Sequence, residues 1–357
     1  MKLRTPNIKQ FILFYILFSI LTLNIFATQY KTYNEVNTKE SLPTSNTWII
    51  STDDDAGTGG DAGDFYYNAT EIIPGFYNAS LHDDADIDFY TFYVRKGQII
   101  NITIQSYNLS MNFDMYLLSP EVVVLDSDLK DAGLSENIIR STQNGGNFYA
   151  KIETAVSDNF GNYSLYLEIL SQNDFNTNND AGNVFNDPLS IQNGNSSGTL
   201  VKNSDTNDFY SISIQKGEIL DIFMESTNTT NIDLSLYDVE NNLLAESNRI
   251  IGFNESIIYS FSQEGIFIIH LALVEETSSK IIIPYNLTII STIQNDANSN
   301  TDAGNNPEDA YLIIPLTNSR FVGKLVSFGD LADYYVFNIQ EKNIIYTSLE
   351  VPDNANL

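Results

Sequence analysis

The sequence predicts an all-β protein made of tandem antiparallel β-sandwich modules with a jelly-roll-like strand order. Short runs of alternating β-branched and aromatic residues recur between clusters of Gly, Asn, Asp and Ser, and no segment after the N-terminal apolar run keeps a helical period. One phrase also occurs three times: Asn or Asp, then Asp, five residues, Asp-Ala-Gly, and Asn or Asp. It begins at Asp54, Asn173 and Asn295. Such a repeat indicates a repeated module.

The spacing of the phrase gives the size of the module. The three Asp-Ala-Gly units begin at residues 61, 180 and 302. A period of about 120 residues suits one small globular domain rather than one turn of a solenoid. We predict module 1 at 51–170, module 2 at 171–291 and an incomplete module 3 at 292–357. The phrase lies where one module ends and the next begins, so an ion bound there would stiffen the joint.

Further motifs follow the phrase in the same order. An Asp and two aromatic residues open a strand at Asp88, Asp208 and Asp333, and a Lys-Gly turn follows at Lys96 and Lys216 but not at Glu341. Modules 1 and 2 also share Asp-x-x-Leu at Asp114 and Asp233, Gly-x-Phe at Gly146 and Gly265, and Tyr-x-Leu at Tyr163 and Tyr285. Two full modules and part of a third are therefore expected.

This order of motifs resembles the bacterial pre-peptidase C-terminal domain, a secreted β-sandwich module usually found beside extracellular proteases. The resemblance covers residues 51–357. Phe89, Phe209 and Tyr334 stand where the family often has tryptophan, and Glu341-Lys342 lacks the usual turn glycine. The resemblance implies calcium-dependent stability, substrate or matrix binding and secretion, and it implies no catalysis by the module itself.

The composition is strongly acidic. Lys and Arg number 17 against 46 Asp and Glu, a formal net charge of −29. This charge repels nucleic acid and anionic lipid surfaces, so we expect neither of them as a partner. The same charge favours the binding of cations. The sequence contains no cysteine, which excludes disulfides, thiol catalysis and cysteine-ligated zinc. Metal ions are then an available means of stabilising a secreted chain.

Residues 1–27 are predicted to be a signal peptide. Lys2, Arg4 and Lys9 form a basic start, and an apolar run extends from Phe11 to Ala27. The run is at the lower length limit for crossing a bilayer, so an uncleaved anchor stays open. Residues 28–50 are polar and predicted to be a flexible spacer. We expect a secreted or cell-surface protein.

The repeated acidic phrase allows three interpretations. It could hold calcium, it could be a turn in which Asp and Asn cap their own backbone and Gly supplies positive φ, or it could supply paired carboxylates for glycoside hydrolysis. Calcium is the preferred ion because oxygen ligands and a glycine that lets the chain turn sharply recur in each module, although the twelve-residue helix-loop-helix signature is missing. The candidate ligands are Asp55, Asp61 and Asp64, then Asp174, Asp180 and Asn183, then Asp296, Asp302 and Asn305.

The Asp residues that open strands and several aromatic residues are predicted to have structural roles. Asp88, Asp208 and Asp333 each start a strand, and we expect them to bond backbone amides at the turn rather than a metal. Aromatic residues are expected to fill the two sandwich cores, with candidates at Phe89, Phe113, Phe148, Phe209 and Phe267.

The two histidines argue against hydrolysis. Internal comparison places His82 opposite Lys202 and His270 opposite Lys151. Positions that accept lysine are expected to face solvent, whereas a Ser-His-Asp triad needs a buried, oriented imidazole. We therefore predict that the chain is not an enzyme.

Nine Asn-x-Ser/Thr sequons are candidate glycosylation sites. Asn is abundant here, so chance produces several of them, and glycans would lie on the sandwich edges. The sites are Asn68, Asn78, Asn101, Asn108, Asn162, Asn195, Asn228, Asn254 and Asn286.

Two functions from different classes remain. The preferred one is a non-catalytic, secreted or cell-surface array of calcium-stabilised modules that acts in binding or adhesion or as a spacer. Extracellular polysaccharide or protein would be its partner, with Tyr66, Tyr67, Tyr107 and Tyr237 as candidate contacts. The alternative is the accessory, substrate-binding region of a secreted protease or other hydrolase whose catalytic domain belongs to a longer product.

Overall fold

Module 1 is a two-sheet sandwich. The computed structural model describes residues 54–314, 316, 319–341 and 344–351, so the predicted signal peptide and spacer lie outside the described residues. The strands are β1 Thr70–Glu71, β2 Gly75–Leu81, β3 Ile87–Val94, β4 Gln98–Ser106, β5 Phe113–Leu118, β6 Val124–Asp128, β7 Glu136–Ser141, β8 Gly146–Thr154 and β9 Gly161–Ser171. One sheet has the order β1-β3-β8-β5-β6 and the other β2-β9-β4-β7.

Module 2 repeats this arrangement. Its strands are β10 Leu189–Ser190, β11 Gly194–Val201, β12 Asn207–Ile214, β13 Glu218–Glu225, β14 Thr230–Asp238, β15 Leu243–Ser247, β16 Glu255–Ser260, β17 Gly265–Glu276 and β18 Ile282–Ile293. The sheet orders are β10-β12-β17-β14-β15 and β11-β18-β13-β16. In both modules the first and last long strands pair, and the chain changes sheet at every connection between the long strands except one hairpin. This is the jelly-roll order, so the predicted fold class is confirmed.

Short parallel strands at the sheet edges were not predicted. β1 pairs with β3 and β10 with β12 in parallel. Two residues are too few for alternation to appear in a sequence. In module 3, β19 Tyr311–Leu312 pairs in the same way with β20 Tyr335–Val336. A longer strand from Tyr334 to Ile339 was expected, but β19 is the only strand that pairs with it in the described part of the chain.

Helical structure is limited to single turns. The described residues contain five 3-10 turns and no α-helix: Asp55–Gly57, Tyr66–Asn68, Asp174–Asn176, Asp296–Asn298 and Pro307–Asp309. Within these residues, no helix has the length and apolar character needed to cross a membrane.

Each complete module has its own apolar core, and the aromatic residues expected there were only partly correct. Phe113 and Phe148 are in the core of module 1. Phe89 is buried, at 8% exposure, but it lies outside the core cluster of module 1, as Phe209 lies outside that of module 2. Side chains alternate along a strand, and the fully buried Asp88 and Asp208 share the inward face with Tyr90 and Tyr210. Phe267 is partly buried and packs against the core of module 2.

We expect Phe148→Ala to lower the free energy of unfolding by about 3–5 kcal/mol, because it leaves a cavity in the core of module 1. Chemical denaturation measures this. Phe160→Ala is the matched control, since this side chain is 41% exposed and its loss should change stability by less than about 0.5 kcal/mol. Equal effects of the two substitutions would contradict the core assignment.

Candidate metal centres

The repeated phrase folds into the same loop three times. The Asp at the second position of the phrase begins a 3-10 turn, and the residue after it has a left-handed backbone conformation: Ala56 has φ 53, Phe175 φ 49 and Ala297 φ 52. The side-chain oxygen of the first residue of the phrase accepts a backbone amide five residues later and so closes the loop around the turn. Asp54 accepts from the Gly59 amide at 2.7 Å, Asn173 from Asn178 at 2.6 Å and Asn295 from Asn300 at 2.7 Å. The turn-forming interpretation therefore describes the first residue of the phrase.

The Asp at the second position of the phrase fixes the loop to its module through hydrogen bonds. Asp55, Asp174 and Asp296 are at most 1% exposed. One carboxylate oxygen of each accepts the amide of the Ala in Asp-Ala-Gly, at 3.0, 2.8 and 3.2 Å in modules 1 to 3. The other oxygen accepts an amide 25 to 28 residues later: from Ser80 at 2.7 Å, Thr199 at 2.8 Å and Lys324 at 2.8 Å. These bonds hold the carboxylate at a fixed point.

The glycine of Asp-Ala-Gly is required for close packing rather than for the predicted sharp turn. A Cβ on Gly63 would lie 2.3 Å from the carbonyl oxygen of Asn68, and one on Gly182 would lie 1.6 Å from that of Asp187. Only Gly304, with φ 86, is left-handed among the three. Any side chain here would push the loop away from the turn that follows it.

The Asp of Asp-Ala-Gly meets two other carboxylates in each module. One ligand oxygen from each residue lies within 4.8 Å of the others in three groups: Asp55, Asp61 and Asp88; Asp174, Asp180 and Asp208; and Asp296, Asp302 and Asp333. Six of the nine predicted ligands are thus brought together. Each group is completed by an Asp that the sequence analysis had given a different role.

The strand residues Asp88, Asp208 and Asp333 do not bond backbone amides within the described part of the chain, so that expectation was wrong. Each accepts a tyrosine hydroxyl instead: from Tyr163, from Tyr285, and from Tyr335 at 3.3 Å. In each, Oδ1 is buried without a hydrogen-bond partner. In modules 1 and 2, the repeated order of Asp-aromatic-aromatic and Tyr-x-Leu therefore reflects a buried Asp and its tyrosine donor.

A fourth carboxylate was missed. Asp205 and Asp330 are at most 1% exposed, and the Oδ1 of each has no partner. The Asp-x-x-Asp spacing, Asp205 to Asp208 and Asp330 to Asp333, was present in the sequence as a signal. In module 1 the nearest counterpart is Asp86, two residues before Asp88.

The remaining three predicted ligands behave differently from one another. Asp64 is exposed and lies outside the carboxylate groups. Asn183 bonds Asp205 and its Oδ1 is buried without a partner. The Asn305 amide donates to the Gly329 carbonyl at 3.2 Å and its oxygen accepts from Ala332 at 3.4 Å. Asn305 therefore joins two loops.

The clustered carboxylates resist ionisation. Burial raises the pKa of Asp88 and of Asp180 to about 9, and neighbouring carboxylates add to both shifts. Burial raises the pKa of Asp174 to about 6, of Asp205 to about 7 and of Asp330 to about 7. Removing a carboxylate from water disfavours its charged form, and a like charge nearby disfavours it further. Without a cation, Asp88 and Asp180 keep their protons near neutral pH.

The clusters of modules 2 and 3 sit at the joints between modules. Gln172, two residues before Asp174, donates to Ser141 Oγ of module 1 at 3.1 Å and to Asp205 Oδ2 of module 2 at 3.0 Å. Gln294 makes the same pair of bonds at the next joint, to Ser260 Oγ and to Asp330 Oδ2, each at 2.9 Å. Both glutamines are buried. One side chain thus ties each cluster to the preceding module.

The Lys-Gly turn packs against the same joint. Gly97 has φ 77, and a Cβ on it would lie 2.4 Å from the Cβ of Asp180 in the next module. Gly217 also has φ 77, and a Cβ on it would lie 3.3 Å from the amide nitrogen of Asp302. The turn glycine therefore allows one module to contact the acidic loop of the next.

His270 lies on the outer face of its sheet, between the core residues Ile269 and Leu271, but it is half-buried rather than freely exposed as expected. It pairs across the sheet with Phe209, as Lys151 pairs with Phe89, so the internal correspondence is confirmed. The imidazole stacks on Phe209 with ring centroids 4.1 Å apart, and burial lowers its pKa to about 4. Lys151 occupies the same half-buried position because its long stem reaches outward, with Nζ 5.0 Å from the Tyr116 ring centroid.

The sequon asparagines lie outside the cores. Six are exposed and three, Asn101, Asn254 and Asn286, are half-buried. Their use as glycosylation sites stays a prediction.

No family model and no curated protein matches the chain. Solved structures are similar to parts of it. The pre-peptidase C-terminal domain of a Bacillus anthracis collagenase is 16% identical, with 28% of this chain and 93% of that chain covered and a TM-score of 0.24. PliG, a periplasmic inhibitor of g-type lysozyme from Aeromonas hydrophila, is 8% identical, with 29% and 95% covered and a TM-score of 0.24.

The M60 catalytic domain with two CBM51 domains of Clostridium perfringens ZmpB is 8% identical, with 69% of this chain and 38% of that chain covered and a TM-score of 0.22. All three scores are below 0.5. The fold assignment therefore rests on the strand order observed in this chain, and the family resemblance stays a prediction.

In the presence of a chelator, we expect stability to fall as pH rises from about 4 to about 9. The folded state holds protons on Asp88 and Asp180, whose pKa values are about 9, whereas unfolded Asp ionises near 3.9. Unfolding in this window releases protons, so the free energy of unfolding decreases with pH. Melting temperature measured from pH 5 to pH 8 tests this. Asp180→Asn should flatten the profile and the exposed control Asp64→Asn should not; an upward slope would contradict the assignment.

Gln172→Ala should weaken the joint between modules 1 and 2. It leaves the buried Ser141 hydroxyl and Asp205 Oδ2 without their shared donor, a loss of about 1–3 kcal/mol. Calorimetry should show a lower melting temperature and a wider separation between the unfolding transitions of the modules. Gln143→Ala, at an exposed position near the joint, is the control. Identical traces for both variants would rule out a role for Gln172 in coupling.

Proposed function

We propose that the chain is a non-catalytic, exported array of β-sandwich modules, each stabilised by a calcium ion, that acts in binding or adhesion or as a spacer. The observation that carries this proposal is the threefold recurrence of one group of three close carboxylates, of which Asp55, Asp174 and Asp296 are buried. Oδ1 of Asp88, Asp208 and Asp333 has no hydrogen-bond partner in the described structure. Buried polar atoms are nearly always paired, and an ion would supply the missing partner.

The donor set of modules 2 and 3 fits calcium. Carboxylate, amide and backbone carbonyl oxygens are the ligands of Ca²⁺, which takes six to eight of them. In module 2, unpartnered side-chain oxygens are supplied by Asp180, Asp205 and Asp208, and also by Gln172 and Asn183. A soft metal would require sulfur or imidazole ligands, and neither is among these donors.

The electrostatics support the same ion. Several carboxylates with raised pKa values share one small volume in each module. Two positive charges at the centre would allow them to ionise and would turn their mutual repulsion into attraction. The cation would therefore stabilise the folded state by an amount that increases with pH, opposite to the trend in a chelator.

The location of the clusters supports a spacer or binding array. Each joint glutamine links the cluster to the preceding module, at Ser141 in one joint and Ser260 in the next. An ion that fixes Asp205 or Asp330 would fix the partner of that glutamine as well. Bound calcium would then hold successive modules at one repeated orientation.

The burial of the clusters supports a structural rather than a catalytic role. Asp55, Asp88, Asp174 and Asp208 are 0% exposed. A hydrolase acting on a polysaccharide would need its two carboxylates on either side of a bound sugar. A carboxylate group that recurs in each module around a buried Asp is more economically explained as an ion-binding element.

Two exposed aromatic side chains are available to an extracellular polysaccharide or protein. Tyr66 is 46% and Tyr67 72% exposed, and Phe65 stacks on Tyr67 with centroids 5.2 Å apart. Tyr107 is also exposed, but Tyr237 is half-buried against Phe185. Tyr66 and Tyr67 are therefore the first candidates for contact with a sugar ring or peptide.

Asp180→Asn provides the sharpest test, because its effect should change sign with calcium. In chelator the variant should melt at a higher temperature than the wild type, since asparagine is neutral at every pH, whereas folding of the wild type must hold a proton on Asp180. In saturating calcium it should melt lower, because a ligand is lost; an ion present at 100 times its Kd contributes about 2.7 kcal/mol.

Thermal unfolding in both conditions makes this measurement, with Asp64→Asn as the matched control. Asp64 belongs to the same phrase but is exposed and outside the carboxylate groups, so its variant should follow the wild type. If calcium stabilised Asp180→Asn as strongly as the wild type, the module 2 site would be refuted.

A further inference from the structure

Module 1 departs from the other two modules in the loop that leads to its buried Asp. The loop has the same length in each, from Leu81 to Asp88, from Val201 to Asp208 and from Val326 to Asp333. Its second residue is His82 in module 1, and Lys202 and Ser327 in the others. Its acidic residue also moves by one position. The fifth residue is Asp205 in module 2 and Asp330 in module 3, but Ala85 in module 1, where the sixth is Asp86.

The two departures bring an imidazole and a carboxylate together. His82 Nδ1 lies 3.0 Å from Asp86 Oδ2 and 3.7 Å from Asp61 Oδ1. One ligand atom from each of the three residues lies within 4.8 Å of the others. Bonds of about 2.0–2.1 Å from a tetrahedral zinc ion place neighbouring ligand atoms about 3.3 Å apart. The two measured distances lie on either side of this value.

Asp86 gives a second, independent indication of a ligand. Its side chain is 7% exposed, and Oδ1 is buried without a hydrogen-bond partner in the described structure. The backbone amide of His82 donates to the other oxygen, Oδ2, at 2.5 Å. This bond holds the carboxylate beside the imidazole, where Oδ2 keeps a second lone pair for a shared ion, and no group of the described structure satisfies the buried Oδ1.

We propose that module 1 carries a transition-metal site formed by Asp61, His82 and Asp86, which takes a zinc-like divalent ion, and that modules 2 and 3 carry no such site. Imidazole is a preferred ligand of zinc, copper and nickel, whereas calcium is bound by oxygen. Asp61 also belongs to the proposed calcium group with Asp55 and Asp88. The inference rests on the proposed calcium function only through this shared residue, which has two oxygens to offer.

The chain contains only two histidines, which makes the test direct. The full chain is labelled with ¹⁵N-histidine and titrated with Zn²⁺ in saturating Ca²⁺, while NMR follows both imidazoles. One equivalent of Zn²⁺ should shift the resonances of His82 and leave those of His270 unchanged. Calorimetry under the same conditions should show one zinc bound, and that binding should weaken at least tenfold in His82→Lys, which carries the module 2 residue.

Two controls separate the outcomes. His270→Gln should bind zinc as the wild type does, and a cooperative thermal unfolding transition of His82→Lys, with or without calcium, should show that it is folded. An unshifted His82 spectrum, or equal zinc binding by His82→Lys, would overturn the proposal and leave His82 as an ion-pair partner of Asp86. The calcium proposal is tested separately at Asp180 in module 2, whose cluster contains no histidine, so either proposal can fail alone.

Discussion

The structure depends on one electrostatic constraint, the burial of several carboxylates within a few ångströms of one another in every module. Asp174, Asp180 and Asp208 show it most clearly, with ligand oxygens within 4.8 Å and pKa values raised by burial. Like charges in a medium of low polarity must be neutralised by protons or by a cation. The folded chain therefore needs positive charge at these groups. With 17 Lys and Arg against 46 Asp and Glu, a net charge of −29, the chain has few basic side chains to provide it.

The loops and joints follow from that constraint. Asp55, Asp174 and Asp296 are fixed by two backbone amides each, and Asp88 and Asp208 by a tyrosine hydroxyl from the last strand of their module. The jelly-roll order places the Asp strand and the Tyr strand in opposite sheets, so each of these bonds crosses the interior of the sandwich. Gln172 and Gln294 then extend the network into the preceding module. Ion binding, folding of a module and orientation of its neighbour are in this way one connected set of contacts.

Much of this could be predicted from the sequence. The repeated order of motifs indicated the modules, and the alternation of apolar and polar residues indicated the strands of the sandwich. The repeated acidic phrase located Asp61, Asp180 and Asp302. The roles of Asp88 and Asp208 were missed because pairing with Tyr163 and Tyr285 joins residues 75 and 77 positions apart, which no local pattern shows. Phe89 and Phe209 were assigned to the core because an aromatic on either face of a strand gives the same signal. The two-residue strands β1 and β10 are too short to leave a pattern.

The most direct measurement is calcium titration of the full chain by calorimetry near neutral pH, in buffers of different ionisation enthalpy. We expect three ions per chain, one for each carboxylate group, with protons released on binding because Asp88 and Asp180 have pKa values of about 9. The apparent enthalpy should then change with the buffer. No saturable binding at millimolar calcium, or binding without proton release, would contradict the claim that these carboxylates form cation sites.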